Sequence, residues 1–404
     1  MGNILIRNIL MRDKVFHVKQ FIYKKHRENK TMGNRKKGLW ILIAITVILL
    51  MINPRTIKYL KAKTSLDKGE IYITKEIEIP HSSQIIYEKF GNGLIKYWEG
   101  VLIYYNAAGE QMWSINLAIN KPAIKTNSDS IYIIDENKNQ ILRIDKKGEQ
   151  IYKGALDKSY KNFDVCDNNY VILHHETEDP VQYITIINKE GKKVSEIVLG
   201  EGEITNLAIS GAHDRIAIST INTNGDSLEN NILVYDLKAN LLGSENFNDN
   251  IILNMFYNEK GDLIVIDERN ICGKDKGNLT NWQVNLDDPI IIMNTKNKNF
   301  MTVYSEDSGK KSIIYSPTGN TIKILSYDGK LLSEIKQDEE IVDMDSYKNN
   351  IIVYSSRTIF KYDKNGNLKM EFPYTGDILK CFALSDDNIA VITKEKISFL
   401  SFKR

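Results

Sequence analysis

Histidine, cysteine and clustered carboxylates are the side chains that could hold a metal or attack a substrate, and this chain has few. It carries 6 His and 3 Cys in 404 residues. His17 and His26 lie in a basic N-terminal stretch, and His81, His174, His175 and His213 lie beyond it. By residue type the best metal candidate is His174-His175-Glu176. It follows the apolar stretch Tyr170–Leu173, and successive side chains of a strand point to opposite faces, so adjacent imidazoles do not readily share one ion. The pair is read as a loop pair at the edge of a strand. His213 sits in Ser210-Gly-Ala-His-Asp214, a turn, and no Gly-x-Ser-x-Gly nucleophile elbow occurs. Alanine at His174, His175 or His213 is then expected to leave folding nearly intact.

The remaining motifs read in the same structural way. Asp363-Lys-Asn-Gly-Asn367 lacks the twelve-residue spacing and closing Glu of a calcium loop, so it is read as a hairpin turn, as is Asp135–Asn139. Cys166, Cys272 and Cys381 are odd in number and form no Cys-x-x-Cys; Cys166 and Cys381 suit small buried positions in strands. Gly91-Asn-Gly93 is too short to cradle phosphate. Asn278-Leu-Thr280 is a glycosylation sequon only in a eukaryotic secretory pathway. Tyr97-Trp98, Tyr104-Tyr105, Trp113 and Trp282 would suit stacking on a sugar or peptide, and equally the filling of a wedge between sheets, which is the reading adopted. No catalytic, cofactor-binding or metal residue is assigned, ligand-binding residues are left unnamed, and no cofactor is expected.

The elements that carry these residues are strands. Beyond about residue 70 the pattern alternates, as in Ile71-x-Ile73, Ile131-x-Ile133, Leu263-x-Val265 and Ile351-x-Val353, with Asn, Asp and Gly between the runs. One unit recurs: a strand ending in an acidic or amide residue, a turn with Gly, and a second strand. It appears as Tyr104–Gly109, Ile144–Gly148, Ile187–Gly191, Ser326–Gly329 and Tyr362–Gly366, with a degenerate copy ending at Asn240 and another at Gly277. Spacings run from 37 to 52 residues with a mean of about 43, the length of a four-stranded propeller blade. The last unit reaches the C-terminus after three strands, Leu379–Leu384, Asn388–Ile392 and Lys396–Phe402. The stretch Glu70–Ile79 precedes the first unit and could supply the missing fourth. The expected fold is all-β: a propeller of eight blades, or seven if the fifth or the long sixth unit (289–336) is miscut.

Composition sets the surroundings. With 42% hydrophobic and 26% charged residues, 7 Pro and 24 Gly, the chain is neither disordered, collagen-like nor a multi-span membrane protein. The net charge of +2 divides unevenly: residues 1–37 hold eleven Lys/Arg against Asp13 and Glu28, or +9, leaving −7 for 38–404. A mildly acidic body argues against nucleic acid as a partner. Residues 38–54 are an uncharged apolar run flanked by Arg35, Lys36, Lys37 and Arg55, with Trp40 near one end, and are read as a short transmembrane anchor. No small-residue cleavage pattern follows it. Seven Lys/Arg precede the run within fifteen residues and four follow it in 53–67, which orients the N-terminus to the cytoplasm and the body outside. Residues 1–31 admit two readings, a surface-lying amphipathic helix or a stretch upstream of a true start at Met32. The domains are thus 1–37 basic cytoplasmic segment, 38–54 anchor, 55–69 linker and 70–404 propeller.

The repeat over 70–404 resembles the quinoprotein-like and WD-like propeller superfamily. With the short basic segment and single anchor it is similar to an uncharacterised family of membrane-anchored propellers from Gram-positive bacteria. The resemblance lies in architecture: Gly109–Trp113 matches the Gly-x-x-x-Trp of quinoprotein propellers, but Tyr152, Ser195, Ser333 and Met370 stand at the corresponding positions, and no Trp-Asp signature appears. It implies a single-pass, extracytoplasmic binding or scaffold module for a protein or envelope polymer, with a cell-envelope hydrolase or lyase working in the channel as the alternative.

Overall fold

The computed structural model describes residues 71–80, 84–175, 181–200, 202–211, 214–223, 229–247, 250–306 and 320–402. The expected basic segment (1–37), anchor (38–54) and linker (55–69) lie outside these, as do His81, Glu176 and His213. Among the described residues no helix is long and apolar enough to cross a membrane.

Among the described residues thirty-two strands form eight four-stranded antiparallel sheets, so the eight-bladed propeller is the observed fold. Blades one to seven span residues 86–116, 122–155, 160–199, 203–246, 252–285, 290–337 and 343–373. The eighth combines 380–402 with the strand Ile71–Glu78, which pairs antiparallel with Lys396–Phe402. The N-terminal strand therefore closes the ring, as the three-strand last unit required. The fifth and sixth units are separate, complete blades, and this removes the seven-blade count.

Strand position decides burial. Second strands such as Ser130–Asp135, Val171–His175 and Phe300–Ser305 are buried at every residue, because sheets of both neighbouring blades cover their faces. Outermost strands such as Gln111–Asn116, Gln150–Ala155 and Thr280–Asn285 alternate, with only one side covered. The core is eight separate clusters, each shared by two adjacent blades. One joins Leu102 to Ile131 and Leu142 between blades one and two, and another joins Tyr105 to Phe382 and Phe399 across the closure. A fully buried Ile contributes about 1.5–3 kcal/mol, so stability is spread around the ring.

The hairpins between third and fourth strands share one plan. Asn106, Asp145, Asn188, Asp236, Asp275 and Asp363 each accept backbone N–H bonds two and four residues on, and a residue three positions on is left-handed. Ser326 takes the capping place in the sixth blade, with Gly329 left-handed. In blades four and five the left-handed residues are Ala239 (φ 66°) and Asn278 (φ 61°), each one position from the Asn240 and Gly277 that end those units in the sequence. The residue four positions further packs on the next blade's turn. Trp113 lies against Gly148, where an added Cβ would come within 3.0 Å of the indole, and its Nε1 donates to Lys146 O at 3.0 Å. Counting four from Asn278 reaches Trp282, which covers Gly329. The Trp seat expected of quinoprotein-type blades is thus filled twice.

Antiparallel order fixes two faces. First-to-second and third-to-fourth turns emerge on one, here the lower face, where Lys146 and Asp129 from the two turn classes pair at 2.6 Å. The other links form the upper face. Ile71 pairs with Phe402, so the chain enters the propeller on the lower face.

Candidate functional site

The eight first strands line a central channel, and their residue types decide what it can do. Lys89 pairs with Asp345 at 3.5 Å and donates to Ser346 O at 2.9 Å, reaching past the eighth blade to tie the first to the seventh. Asp345 also accepts from Ala383 N at 2.8 Å and from Asn294 Nδ2 at 3.3 Å. Burial pushes the Lys89 ammonium below the usual lysine range, against the pull of Asp345. Lys125 and Asp164 pair at 3.3 Å between blades two and three, and burial raises the Asp164 carboxyl despite its partner. Asp343 faces a cavity of about 280 Å³ shared with Lys89, Lys380 and Met293. Burial raises its carboxyl as well, partly opposed by Met344 N–H. The channel thus holds ion pairs and two carboxyls shifted toward their protonated forms.

At the lower mouth a cavity of about 630 Å³ is bordered by Asn92, Ser128, Tyr257, Thr295 and Tyr327. Lys298 of the sixth blade spans it, meeting Asp167 of the third at 3.1 Å and Glu259 of the fifth at 3.0 Å. These three side chains remain roughly half exposed.

His174 and His175 are in strand Val171–His175, 1% and 3% exposed, which corrects the reading of a loop pair. They do face opposite sides. His174 Nε2 bonds Gln182 Oε1 at 2.7 Å, whereas His175 bonds Thr185 Oγ1 at 2.7 Å and Ser159 O at 3.2 Å. Burial lowers both imidazoles below the usual histidine range, holding them neutral. The expectation that alanine is harmless there therefore fails, because each change would strand a buried partner. Among the described residues no group of three His, Cys, Asp or Glu converges as a metal site. Cys166, Cys272 and Cys381 are buried free thiols. Asp363 caps its hairpin, with Asn367 and Lys369 holding its carboxyl at about 2 against the effect of burial. The aromatics are packing groups: Tyr97 and Tyr105 are buried, and Tyr104 lies against Trp113 at 5.4 Å.

The upper mouth differs, and sequence inspection missed it. Four consecutive blades begin with a buried apolar residue followed by an exposed one: Ile252-Leu253, Ile290-Ile291, Ile341-Val342 and Ile378-Leu379. The first members are at most 8% exposed, whereas Leu253, Ile291, Val342 and Leu379 are 38%, 54%, 43% and 49% exposed. Leu253 and Ile291 are the unpaired residues of bulges, which turn them out of the ladder. Blades three and four place Lys161 and Thr205 at the same bulge. An apolar crescent thus covers half the channel mouth. Carboxylates precede it in the sequence at Asp287-Asp288, Asp338-Glu339-Glu340 and Asp377. The readable signal was a paired-apolar start at successive blades, which local periodicity alone assigns to the core.

No curated protein matches the chain. Among solved structures it is similar to BamB from Moraxella catarrhalis, with 10% identity, 82% of this chain and 100% of that chain covered, and a TM-score of 0.50. It is also similar to the C-terminal WD40 domain of Sif2, with 12% identity, 83% and 99% covered, and a TM-score of 0.58. At such identities the likeness is one of fold, that of a β-propeller. A family model described as "Family of unknown function (DUF5711)" matches residues 66–402, and on that match, over the whole propeller, the chain belongs to the DUF5711 family.

Proposed function

We propose that the chain is a single-pass, extracytoplasmic binding module of the cell membrane that recognises a protein partner at the upper mouth of its propeller. The apolar crescent of Leu253, Ile291, Val342 and Leu379 is the observation that carries this reading. Four neighbouring blades thus expose an apolar side chain at the same end of the channel, and exposed apolar groups gathered on one face mark interaction surfaces. The neighbouring carboxylates favour a partner whose apolar residues are surrounded by Lys or Arg. The anchor and orientation rest on the uncharged run 38–54 and the excess of basic residues before it.

The test is a photocrosslinking residue placed at Ile291 of the full chain in living cells. A discrete protein adduct is expected, lost when Val342→Asp or Leu379→Asp is added, and absent when the crosslinker stands at Lys364 on the lower face. An adduct at both faces alike, or a polysaccharide adduct, would overturn the protein-partner reading. The alternative, an envelope hydrolase or lyase, draws on the raised carboxyl of Asp343 beside Lys380 in the channel. Asp343→Asn that abolishes a cellular phenotype while the Ile291 adduct persists would favour it.

A further inference from the structure

The bridge across the lower mouth is charged in a way its neighbours are not. Lys298 stands in the turn between the first two strands of blade six, yet its ammonium reaches Asp167 of blade three at 3.1 Å as well as Glu259 of blade five at 3.0 Å. Among the described residues the other lysines bordering that cavity have one carboxylate each. Lys89 pairs with Asp345 at 3.5 Å, Lys146 with Asp129 at 2.6 Å and Lys296 with Glu88 at 3.9 Å. Lys298 alone is shared between two, so the rim lacks one cation at that point. Ser128 N–H donates to Asp167 at 3.2 Å and fixes one of the two carboxylates. Glu259 and Asp167 together hold the Lys298 ammonium above the usual lysine range, the sign of a place that favours positive charge.

Inside the bridge lies the cavity of about 630 Å³, within the size range of small-molecule sites. Phe256, Tyr257 and Tyr327 border it, with Phe256 and Tyr327 edge to face at 5.6 Å. The Tyr327 hydroxyl donates to Asn297 O at 2.5 Å, which holds that ring beside the residue preceding Lys298. An aromatic wall next to paired carboxylates suits a cation on an apolar body, since ring faces attract cations and cover methylene groups. Half-exposed ion pairs contribute little to stability, so the Lys298 ammonium is readily exchanged for another. From this we infer that the lower mouth binds a small organic amine, whose ammonium takes the place between Asp167 and Glu259 that Lys298 fills in the free protein. Lys89, Lys146 and Lys296 on the same rim repel a second positive charge, so the fitting ligand is a monoamine and not a polyamine. The site lies on the face opposite the apolar crescent and is independent of any partner there.

The experiment titrates n-pentylamine into the full chain at low salt, with binding read by ligand-observed NMR. 1-Pentanol and pentanoate, of the same length without the ammonium, are the controls. Pentylamine should bind at least several-fold more tightly than either. Lys298→Ala, which removes the internal ammonium, should tighten pentylamine several-fold, and Glu259→Gln should weaken it several-fold. Glu190→Gln, in a turn of blade three, should change nothing. All three positions are exposed, and melting curves check that each variant is folded. Pentanol binding as tightly as pentylamine, or pentylamine binding to Lys298→Ala no better than to the unaltered chain, overturns the inference. So does a capped lysine that binds more tightly than pentylamine, because the ammonium then belongs to a protein side chain.

Discussion

At the scale of single residues, the adjacent histidines show how burial sets chemistry. His174 and His175 share a strand but no partner, and burial lowers both below the usual range. Unfolding returns them to ordinary values near 6.5. The unfolded chain then binds protons that the folded one resists, so stability is full above pH 6.5 and falls as pH drops below it. Thermal unfolding at pH 7 and pH 5 should show the loss, and His175→Gln should reduce the difference between them. His175→Ala should cost about 2 kcal/mol or more at neutral pH, by leaving Thr185 and Ser159 O without a buried partner. Denaturant midpoints measure that cost, and an unchanged midpoint would return the pair to the strand-edge loop first expected.

At the scale of elements, the third-to-fourth hairpin is the repeating part, and its left-handed residue matches the side chain that covers it. Gly148 and Gly329 lie under Trp113 and Trp282, whereas Asn278 stands over Gly243, so a large turn residue meets a small cover. Ala239 holds φ 66° in the fourth blade, where Ser195 Oγ donates to Leu237 O at 2.6 Å. A left-handed alanine carries about 1–2 kcal/mol of strain, and glycine loses about 0.5–1 kcal/mol more entropy on folding. Ala239→Gly should therefore stabilise by about 0.5–1 kcal/mol. Gly148→Ala should destabilise by about 1–3 kcal/mol, from the same strain plus contact with Trp113. Chemical denaturation of the two variants separates the signs. The closing strand is the other decisive element. Thr74 Oγ1 donates to Ala108 O at 3.0 Å and to Phe399 O at 3.1 Å, and Lys396 pairs with Glu76 at 2.6 Å. Deleting residues 71–78 should expose the edge of Lys396–Phe402 and produce aggregation on light scattering; a monomer with unchanged melting would refute closure by strand exchange.

At the scale of the molecule, eight interblade clusters leave no single centre, and the ring is completed by an N-terminal strand. The two faces differ: the chain enters the propeller below, and the exposed Leu253, Ile291, Val342 and Leu379 stand above. If the propeller is extracytoplasmic, protease added to intact wall-stripped cells should degrade the body. Protection in sealed cells with digestion after lysis would reverse the orientation. The bridge of Lys298 to Asp167 and Glu259 crosses the lower mouth but is solvent-exposed, so Lys298→Ala should cost less than about 1 kcal/mol. A larger loss on denaturation would make it a structural brace.

The repeat, the blade length and the short last unit were readable in the sequence, because each blade repeats a local rule: a capped turn between two strands, every 37 to 52 residues. From those local rules follow the fold class and the need for Ile71–Glu78 at the closure. The left-handed places of Ala239 and Asn278 were not read, since register is set by pairing across the hairpin and not by which neighbour is Gly or Asn. Nor was the burial of His175, which depends on the blade that covers its strand. The crescent was least legible. Ile290 and Ile291 are chemically identical, and only the bulge that turns one into the core and the other toward the channel mouth separates them. Composition and spacing determine what each blade is; which side chains the ring leaves uncovered is decided by the packing of one blade on the next.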